Sequence, residues 1–385
     1  MTEEKNNKEK KNRRATTGSA AAAGSGSAKN SAGNTEGAAK PHKRRKRYSG
    51  RYPKNFHEKY KELNPEKYGS IAGHVIAKGN TPAGTHIPIM VEEILDFLQI
   101  KPGQKGFDAT LGYGGHSKAM LEKLDHTGHL CATDVDPIES AKTKKRLEEA
   151  GFGEDCITIR NTNFANIDKL AEEFGPFDFL LADLGISSMQ LDNPDRGFSY
   201  KVDGPLDLRM NPEKGAPASE LLQRLSREEL IGIFLENSDE PYAEEIATTL
   251  VKDLRKGVPI LTTNALYEEI QKALEFLPAG EQRDAVKKSS ARVFQALRIE
   301  VNQELEVLYT FLEKLPYVMA PNGRVAVLTF HSGEDRLVKK AFKAYQKMGL
   351  FSDVARNVIR PSAEECVRNP RSKPTKLRWA IRSKE

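Results

Sequence analysis

The alternation of short apolar runs with amphipathic segments between residues 86 and 191 constrains the fold more than any other feature. The runs GFDAT, HLCATDVD, CITIRNTNF and FDFLLADLGI are each bounded by turn residues, as buried strands are. Helical patterns lie between them; one example is PIESAKTKKRLEEA, with proline in its first turn. Strands that alternate with helices form a parallel sheet covered on both faces. The sequence therefore predicts a doubly wound α/β fold.

This alternation stops near Leu191. The next stretch of about a hundred residues shows helical periodicity without a strand, as in REELIGIFLEN and YAEEIATTLVKDLRK. A long helix from about Ser290 to Met319 then leads into NGRVAVLTF, which has the pattern of a buried strand. We interpret this order as a sheet interrupted by a helical insert. The predicted domains are the first part of the core at 86–191, the insert at 192–289 and the second part of the core at 290–385.

The first 50 residues differ from the rest in charge and composition. They hold 13 Lys or Arg against 4 Glu in a chain whose net charge is +6. Because they are rich in Gly, Ala and Ser and poor in apolar residues, we expect a disordered basic tail at 1–50, followed by a linker at 51–85. Such a tail either adds salt-sensitive attraction to RNA or is a solvated segment without a specific role.

Several classes of protein are disfavoured. No apolar run reaches the roughly 18 to 20 residues of a membrane-spanning helix, and the first residues lack the apolar centre of a secretory signal. We expect a cytoplasmic protein that is not bound to a membrane. The chain has only three cysteines, with no C-x-x-C pair and no histidine cluster at zinc spacing. Neither a disulfide framework nor a metal is expected.

The stretch FDATLGYGGHSK places a glycine-rich loop directly after the first predicted strand. In a doubly wound sheet this position carries the contact to a bound nucleotide or related ligand. Asp108 ends the strand, and Gly112, Gly114 and Gly115 would let a ligand approach the backbone and the start of the next helix. The dinucleotide fingerprint G-x-G-x-x-G requires glycine where this chain has Ser117. The spacing therefore disfavours a nicotinamide-dependent oxidoreductase.

An acidic residue about 20 positions after such a loop binds ribose hydroxyls. Asp134 and Asp136, at the end of CATDVD, both satisfy this spacing. Together with the loop they indicate a ligand that contains adenosine. S-adenosylmethionine is the ligand of this kind that carries no phosphate, and it is the cofactor that we predict.

Seven co-linear motifs carry a resemblance to a known family: ATLGYGGHS, DLGISSMQLD, DRGFSY, DGPLDLRMN, RVFQALRIEVNQEL, TFHSGEDR and NPRSKPTKLR. Over about residues 85 to 382 the chain resembles the bacterial small-subunit (16S) ribosomal RNA cytosine-N4 methyltransferases. The resemblance implies a Rossmann-like class I methyltransferase sheet. It also implies a set of residues around S-adenosylmethionine, which are Gly114, Gly115, His116, Asp134 at the ribose, Phe164 at the adenine, Asp183 and Gln190.

The reaction implied by the resemblance is methyl transfer to an exocyclic amine whose lone pair is delocalised into the cytosine ring. Catalysis must accept hydrogen bonds from this amine and align it with the methyl group. Asp183, in DLGISS after the fourth strand, is the predicted acceptor. The Pro-Pro-aromatic sequence that amino-methylating enzymes generally have at this place is absent.

The predicted RNA contacts lie in and after the insert. Phe198 and Tyr200 are candidates for stacking on a flipped cytosine, with Arg196 beside them at a phosphate. Arg298 and Asn302 share one face of the long helix, and we favour a position facing the cleft. His331 follows the strand RVAVLTF and is predicted to take the proton that the amine loses.

The predicted function is methylation of a cytosine N4 amine in the decoding region of 16S ribosomal RNA, with the small ribosomal subunit as partner. The alternative is an RNA-binding ribosome assembly factor that keeps this fold without turnover. The resemblance also allows a homodimer.

Overall fold

The structure is a computed structural model that describes residues 88–385. The predicted tail at 1–50 and the predicted linker at 51–85 lie outside the described residues.

Seven strands form one mixed sheet in the order β3-β2-β1-β4-β5-β7-β6. The first five strands run parallel to one another, and β7 is antiparallel to both of its neighbours, β5 and β6. The strands are β1 Lys105–Asp108, β2 His129–Thr133, β3 Ile157–Arg160, β4 Phe177–Asp183, β5 Met319–Thr329, β6 Phe351–Val354 and β7 Lys376–Arg382. The chain order reverses between β1 and β4, which is where doubly wound sheets bind ligands.

Helices connect the strands and cover both faces of the sheet. In the sheet-forming part they are α1 Val91–Leu98, α2 Gly115–Leu124, α3 Pro137–Glu149, α4 Ile167–Phe174 and α5 Ser188–Asp192. Alternate residues of β4 point to opposite faces, because side chains alternate along a strand. Leu180 and Ala182 pack with α4, whereas Phe179 and Leu181 pack with α1 and α2. The predicted doubly wound, Rossmann-like α/β fold is confirmed.

The segment after α5 is helical, as predicted. Its helices are α6 Ala218–Arg224, α7 Arg227–Ser238, α8 Ala243–Arg255, α9 Thr263–Ala273 and α10 Ala279–Asn302. They enclose a hydrophobic core of their own, which includes Leu230, Phe234, Ile246 and Leu266. The predicted boundary at residue 290 falls inside α10. Because Val293, Phe294 and Leu297 of this helix belong to the insert core, we place the end of the insert at Asn302.

The prediction of one long helix over 290–319 is wrong. The chain forms α10 and then α11 Glu304–Val318, separated by Gln303 in the left-handed region at φ 50°. The apolar spacing continues through Val301 and Leu305, so the periodicity does not reveal the break. The last helices, α12 Ser332–Lys347 and α13 Ala363–Arg368, accompany β6 and β7. Among the described residues no helix is long and apolar enough to cross a membrane.

Candidate active site

A cavity of about 940 Å³ opens at the carboxyl edge of the sheet. Its walls come from the loops after β1, β2, β3, β4 and β5, and from two segments of the insert, around residues 209–215 and 298–304. This is the edge at which ligands bind in doubly wound sheets. The cavity therefore joins the sheet and the insert in one site.

The glycine loop after β1 forms one wall, and its glycines are required for packing against protein. Gly114 has φ +83°, and a Cβ atom there would lie 2.6 Å from Thr143 Cγ2 on α3. A Cβ atom on Gly115 would lie 2.9 Å from Pro88 Cγ. The tight loop brings the first turn of α2 to the cavity, where its N–H groups have no intrahelical acceptor. Gly112, Gly114 and Gly115 all line the cavity.

The two carboxylates after β2 take different roles. Asp134 lines the cavity, and its oxygens accept from Gly112 N–H at 2.7 Å and Asp136 N–H at 2.9 Å. Burial raises the pKa of the Asp134 carboxyl to about 6, although these two N–H groups lower it. Each oxygen accepts one of these hydrogen bonds and can accept another. Asp134 is therefore placed to accept from ribose hydroxyls.

Asp136 is fully buried, and its oxygens already have partners. Oδ1 accepts from Ile138 N–H and Glu139 N–H and so caps α3. Oδ2 accepts from Gln190 Nε2 at 2.8 Å and from an Arg196 guanidinium nitrogen at 2.7 Å. Between the two acidic residues left open by the sequence, the structure favours Asp134 as the ribose ligand.

Asp183, at the end of β4, lines the cavity with a side chain that is 26% exposed. Its Oδ1 is enclosed and has no hydrogen-bond partner among residues 88–385, whereas Oδ2 lies 3.5 Å from His116 Nδ1. Burial raises the pKa of the Asp183 carboxyl to about 6, and His116 opposes this rise. His116 Nε2 lies 2.9 Å from the Ile89 carbonyl, which only accepts, so the hydrogen-bond network assigns the proton to Nε2. His116 therefore lies beside Asp183 at the start of α2, and with its proton on Nε2 it donates to Ile89 and not to the carboxylate.

Phe164 and Gln190 also line the cavity, as the predicted cofactor site requires. Phe164 begins a short 3-10 helix after β3, and its ring meets that of Phe311 edge-on at 5.2 Å. Gln190 closes a capping box with Ser187 at the start of α5 and donates to Asp136. The structure brings all seven predicted cofactor residues to this one cavity.

The predicted stacking residues Phe198 and Tyr200 do not line the cavity. Phe198 is buried in the insert core, and Tyr200 stacks on Tyr267 with ring centroids 5.6 Å apart. Tyr200 also packs against Phe294 of α10. Since both rings stabilise the insert, the geometry does not support contact with a flipped base in this conformation.

Arg196 is likewise turned into the protein. Besides its ion pair with Asp136, its guanidinium donates to the carbonyl oxygens of Arg209 and Met210. It is buried and does not line the cavity. Arg196 holds the loop that follows DRGFSY against α3, and contact with an RNA phosphate is not supported.

Arg298 and Asn302 lie at the cavity wall, where the polar face of α10 was expected. Arg298 forms a bidentate ion pair with Glu304 at 2.7 and 2.9 Å. Asn302 accepts from Met210 N–H and donates to the Leu208 carbonyl. Both side chains therefore position the insert loop that borders the cavity, and their predicted contact with substrate stays a prediction.

His331 does not line the cavity, whereas Glu334, one turn later on α12, does. His331 Nε2 lies 3.2 Å from Glu334 Oε1. Glu334 is buried and accepts from Phe330 N–H at 2.8 Å; its pKa is lowered because His331, this N–H and Arg298 outweigh burial. Direct proton transfer from a substrate to His331 is not supported by this placement.

One group near the cavity has the composition of a metal site. Ligand atoms of Glu304, His331 and Glu334 lie within 4.8 Å of one another. Glu304, however, already holds Arg298 with both oxygens. Its carboxylate is thus unavailable unless this ion pair breaks.

Sequence reasoning missed Phe330 and Glu334 as cavity residues. Both follow β5 directly, so the rule that sites form after strand ends could have found them. It also left Lys214 unassigned; this exposed lysine lies where the insert loop meets the cavity opening. No periodicity marks that position.

The cavity fits S-adenosylmethionine by the chemistry of its walls. Asp134 offers acceptors to a ribose, Phe164 offers an apolar ring to adenine, and the first turn of α2 offers N–H donors to a carboxylate. The two carboxylates Asp134 and Asp183 also suit a ligand that carries a sulfonium charge.

Comparisons with known proteins agree with this geometry. Residues 83–383 match the MraW methylase family. The chain is 64% identical over 344 residues to Ribosomal RNA small subunit methyltransferase H 1 of Agathobacter rectalis, covering 89% of this chain and 99% of that protein. It is 61% identical over 349 residues to the protein of the same name from Lachnoclostridium phytofermentans, covering 91% and 95%.

Among solved structures, a putative rRNA-methylase from Clostridium thermocellum aligns with a TM-score of 0.39 at 13% identity, covering 77% of this chain and 98% of that one. The family match, which spans more than half of the chain, carries the assignment. The chain belongs to the MraW methylase family and is an S-adenosylmethionine-dependent methyltransferase.

Proposed function

We propose that the chain methylates the exocyclic N4 amine of a cytosine in the decoding region of 16S ribosomal RNA, within the small ribosomal subunit. The relatives named above are small-subunit ribosomal RNA methyltransferases at up to 64% identity. The observation that carries the proposal is the partly exposed carboxylate of Asp183, which lines the cavity together with Asp134 and whose Oδ1 has no hydrogen-bond donor among residues 88–385. A substrate amine is a donor that this carboxylate can accept from.

The bound cofactor would supply an electrophilic methyl group on a sulfonium. In the transfer, N4 would bond to the methyl carbon as the C–S bond breaks with its electron pair left on sulfur, and the proton that N4 loses would pass to the carboxylate of Asp183. Asp183 accepts a hydrogen bond from the amine and so orients its lone pair toward the methyl group. Because a carboxylate also favours the positive charge that develops on N4, it stabilises the transition state.

The target cytosine must leave its stack in the RNA to reach the carboxylate of Asp183. Phe330 lines the cavity next to the loop after β4, where a Cβ atom on Gly185 would lie 3.6 Å from its ring. This ring replaces Phe198 and Tyr200 as the candidate surface for the cytosine. Aromatic stacking of this kind is worth about 1–3 kcal/mol per base.

An RNA-binding assembly factor without turnover is the second candidate function. It needs the RNA surface but no acceptor for an amine. The enclosed oxygen of Asp183 favours the enzyme, since a buried carboxylate with an unused oxygen costs stability without serving RNA binding.

The test is nucleoside mass spectrometry after incubation of the protein with labelled S-adenosylmethionine. Small subunits and naked 16S RNA, both lacking the modification, are run in parallel to decide between these substrates. We expect label in N4-methylcytidine, lost in Asp183→Asn and kept in Asp284→Asn, a matched change at an exposed site. Cofactor binding without label in either RNA would favour the assembly factor. The predicted homodimer is tested separately, by light scattering of the protein alone.

A further inference from the structure

The outward face of α12 carries five cations that have no partner among residues 88–385. They are Arg336, Lys339, Lys340, Lys343 and Lys347. All five side chains are exposed, and none has a hydrogen bond or ion pair with any residue in 88–385. We propose that this basic face of α12 binds backbone phosphates of the RNA substrate. The inference rests on the proposed function and adds a second RNA contact to it.

The sequence spacing places these charges on one side of the helix. Arg336, Lys340, Lys343 and Lys347 recur at i, i+4, i+7 and i+11, and Lys339 lies beside them. The opposite side, with Glu334, Val338 and Phe342, is buried against the sheet. At a rise of 1.5 Å per residue the face extends for about 16 Å.

No acidic side chain of α12 neutralises the basic face. Glu334 is buried, and Asp335 is paired with Arg378 at 2.6 Å and Lys376 at 3.4 Å. An ordinary solvated helix carries interspersed charges of both signs. Here the two carboxylates are turned inward and every charged residue on the outer face is a cation, so the face has the sign of a polyanion-binding surface.

Positive charge is also concentrated in the part of the sequence that contains α12. Residues 332–385 contain 14 Lys or Arg and 6 Asp or Glu, whereas the whole chain has a net charge of only +6. The basic excess thus lies both in the N-terminal tail and in the segment that follows β5. A local cationic field attracts phosphates even where the molecule as a whole is nearly balanced.

The basic face is near the cavity but is not part of it. Glu334, on the first turn of α12, lines the cavity, and Arg336 lies two residues further on the outer side. RNA whose target base enters the cavity can therefore continue over this helix. Since contacts there do not touch the reacting atoms, they act on RNA affinity and position and leave the chemical step unchanged.

The experiment compares the full chain with the triple variant Lys339→Gln/Lys340→Gln/Lys343→Gln. The control is Lys101→Gln/Lys123→Gln/Lys169→Gln, which removes the same charge at exposed lysines outside α12. Binding of naked 16S RNA is measured against salt without turnover, so the result does not depend on methylation. KM and kcat are measured separately with small subunits.

We expect the α12 variant to lower the slope of log affinity against log salt by about 2 to 3, since each phosphate contact contributes about 0.7 to 0.9. KM should rise by at least about tenfold at low salt, with kcat and cofactor affinity unchanged. The control should match the wild type. An α12 variant with the wild-type salt slope would overturn the proposal, as would equal losses in the control.

Two further outcomes are informative. One distinguishes RNA from a ribosomal protein as the partner of the basic face, and the other tests RNA binding by this face independently of catalysis. Weaker activity on subunits with unchanged binding of naked RNA would reassign the face to a ribosomal protein and contradict the RNA contact. Absence of methylation by the wild type, with RNA binding still lost in the variant, would contradict the proposed function but support the basic face.

Discussion

Asp134 and Asp136 differ in what already occupies their oxygens. The sequence spacing admits both as ribose ligands, because each lies about 20 residues after the glycine loop. Only the folded structure reveals that Asp136 caps α3 and pairs with Arg196, whereas Asp134 keeps lone pairs free at the cavity. The two carboxylates should therefore respond to mutation in different assays.

We expect Asp134→Asn to weaken S-adenosylmethionine binding by about 10-fold or more, because a charged hydrogen bond contributes about 1.5–3 kcal/mol. The free energy of unfolding should change little, because the relief of a buried charge is offset by the loss of one of the two carboxylate oxygens that accept from backbone N–H groups. Asp136→Asn should instead lower the free energy of unfolding by about 3 kcal/mol, since it leaves the buried Arg196 unpaired. Calorimetric titration and urea denaturation measure the two effects. The reverse pattern would identify Asp136 as the ribose ligand.

The ionised carboxylate of Asp183 should lower the stability of the protein near neutral pH. Burial raises its pKa from 3.8 to about 6. The contribution of this carboxyl to the free energy of unfolding is therefore fully present only below its unfolded pKa of 3.8, and it is lost as the pH rises through 6. Asp183→Asn removes this loss, so we expect its free energy of unfolding without cofactor to exceed that of the wild type by about 3 kcal/mol at pH 8.

The comparison is made by urea denaturation at pH 8 and pH 4. The advantage of the variant should fall to about 0.5 kcal/mol at pH 4, where the folded carboxyl is protonated and the unfolded one is about half ionised. An equal difference at both values would show that charge is not its cause. Asp183→Asn should also abolish methyl transfer, so the variant gains stability and loses activity.

At the scale of elements, the fit between the glycine loop and α3 is the tightest local constraint on the site. Gly114 combines a positive φ with a close approach to Thr143, whose hydroxyl donates to the Gly112 carbonyl at 2.6 Å. A side chain at 114 must displace α3, and α3 carries the Asp136 cap. The loop glycine thus supports the cofactor site through helix packing.

Gly114→Ala should destabilise the protein by more than Gly151→Ala. Gly151 has a similar φ of +91° but has no atom within 4 Å of a Cβ there. Strain at positive φ alone costs about 1 kcal/mol, and the contact with Thr143 adds to it. Adding Thr143→Ser, which removes Cγ2 and keeps the hydroxyl, should restore part of the loss. Thermal denaturation measures all four proteins; equal losses in the two alanine variants would contradict the packing argument.

The sequence predicted elements that carry a local signal. The strands β1 to β5, the capped helix α3 and the helices of the insert all follow from periodicity and end residues. The break at Gln303 did not, because no glycine marks its left-handed backbone and the apolar spacing continues across it. Phe198 and Tyr200 were placed at the substrate because an aromatic residue in a loop looks the same whether it packs inward or outward. Glu334 does have a positional signal, since it follows the end of β5 by five residues at the edge where sites form.

At the scale of the whole molecule, the cofactor wall and the insert are mechanically linked. Asp134 accepts from the Asp136 N–H, Asp136 holds Arg196, and Arg196 holds the carbonyl groups of Arg209 and Met210 at the cavity. A ligand that orders the Asp134 end of this series of contacts changes the free energy needed to order the insert loop at Arg209 and Met210, and the reverse also holds.

We therefore expect S-adenosylhomocysteine to tighten RNA binding by about fivefold or more, and RNA to tighten cofactor binding by the same factor. Both affinities are measured with and without the second ligand. Arg196→Lys, which keeps the charge but loses the forked contact, should bring the factor toward one. Unchanged affinities in the wild type would show that the two sites are independent.

The pairing of β4 with β5 has a consequence for how the chain folds. Leu180 lies beside Val325 in the sheet, 145 residues later in the sequence, and the insert occupies most of the intervening chain. Since a polypeptide is synthesised from its N-terminus, β4 must wait for its neighbour, while the helices of the insert already have their own core. A folded insert shortens the flexible chain between β4 and β5 and so reduces the entropy lost when these strands pair. The insert therefore assists folding of the sheet before it forms a wall of the site.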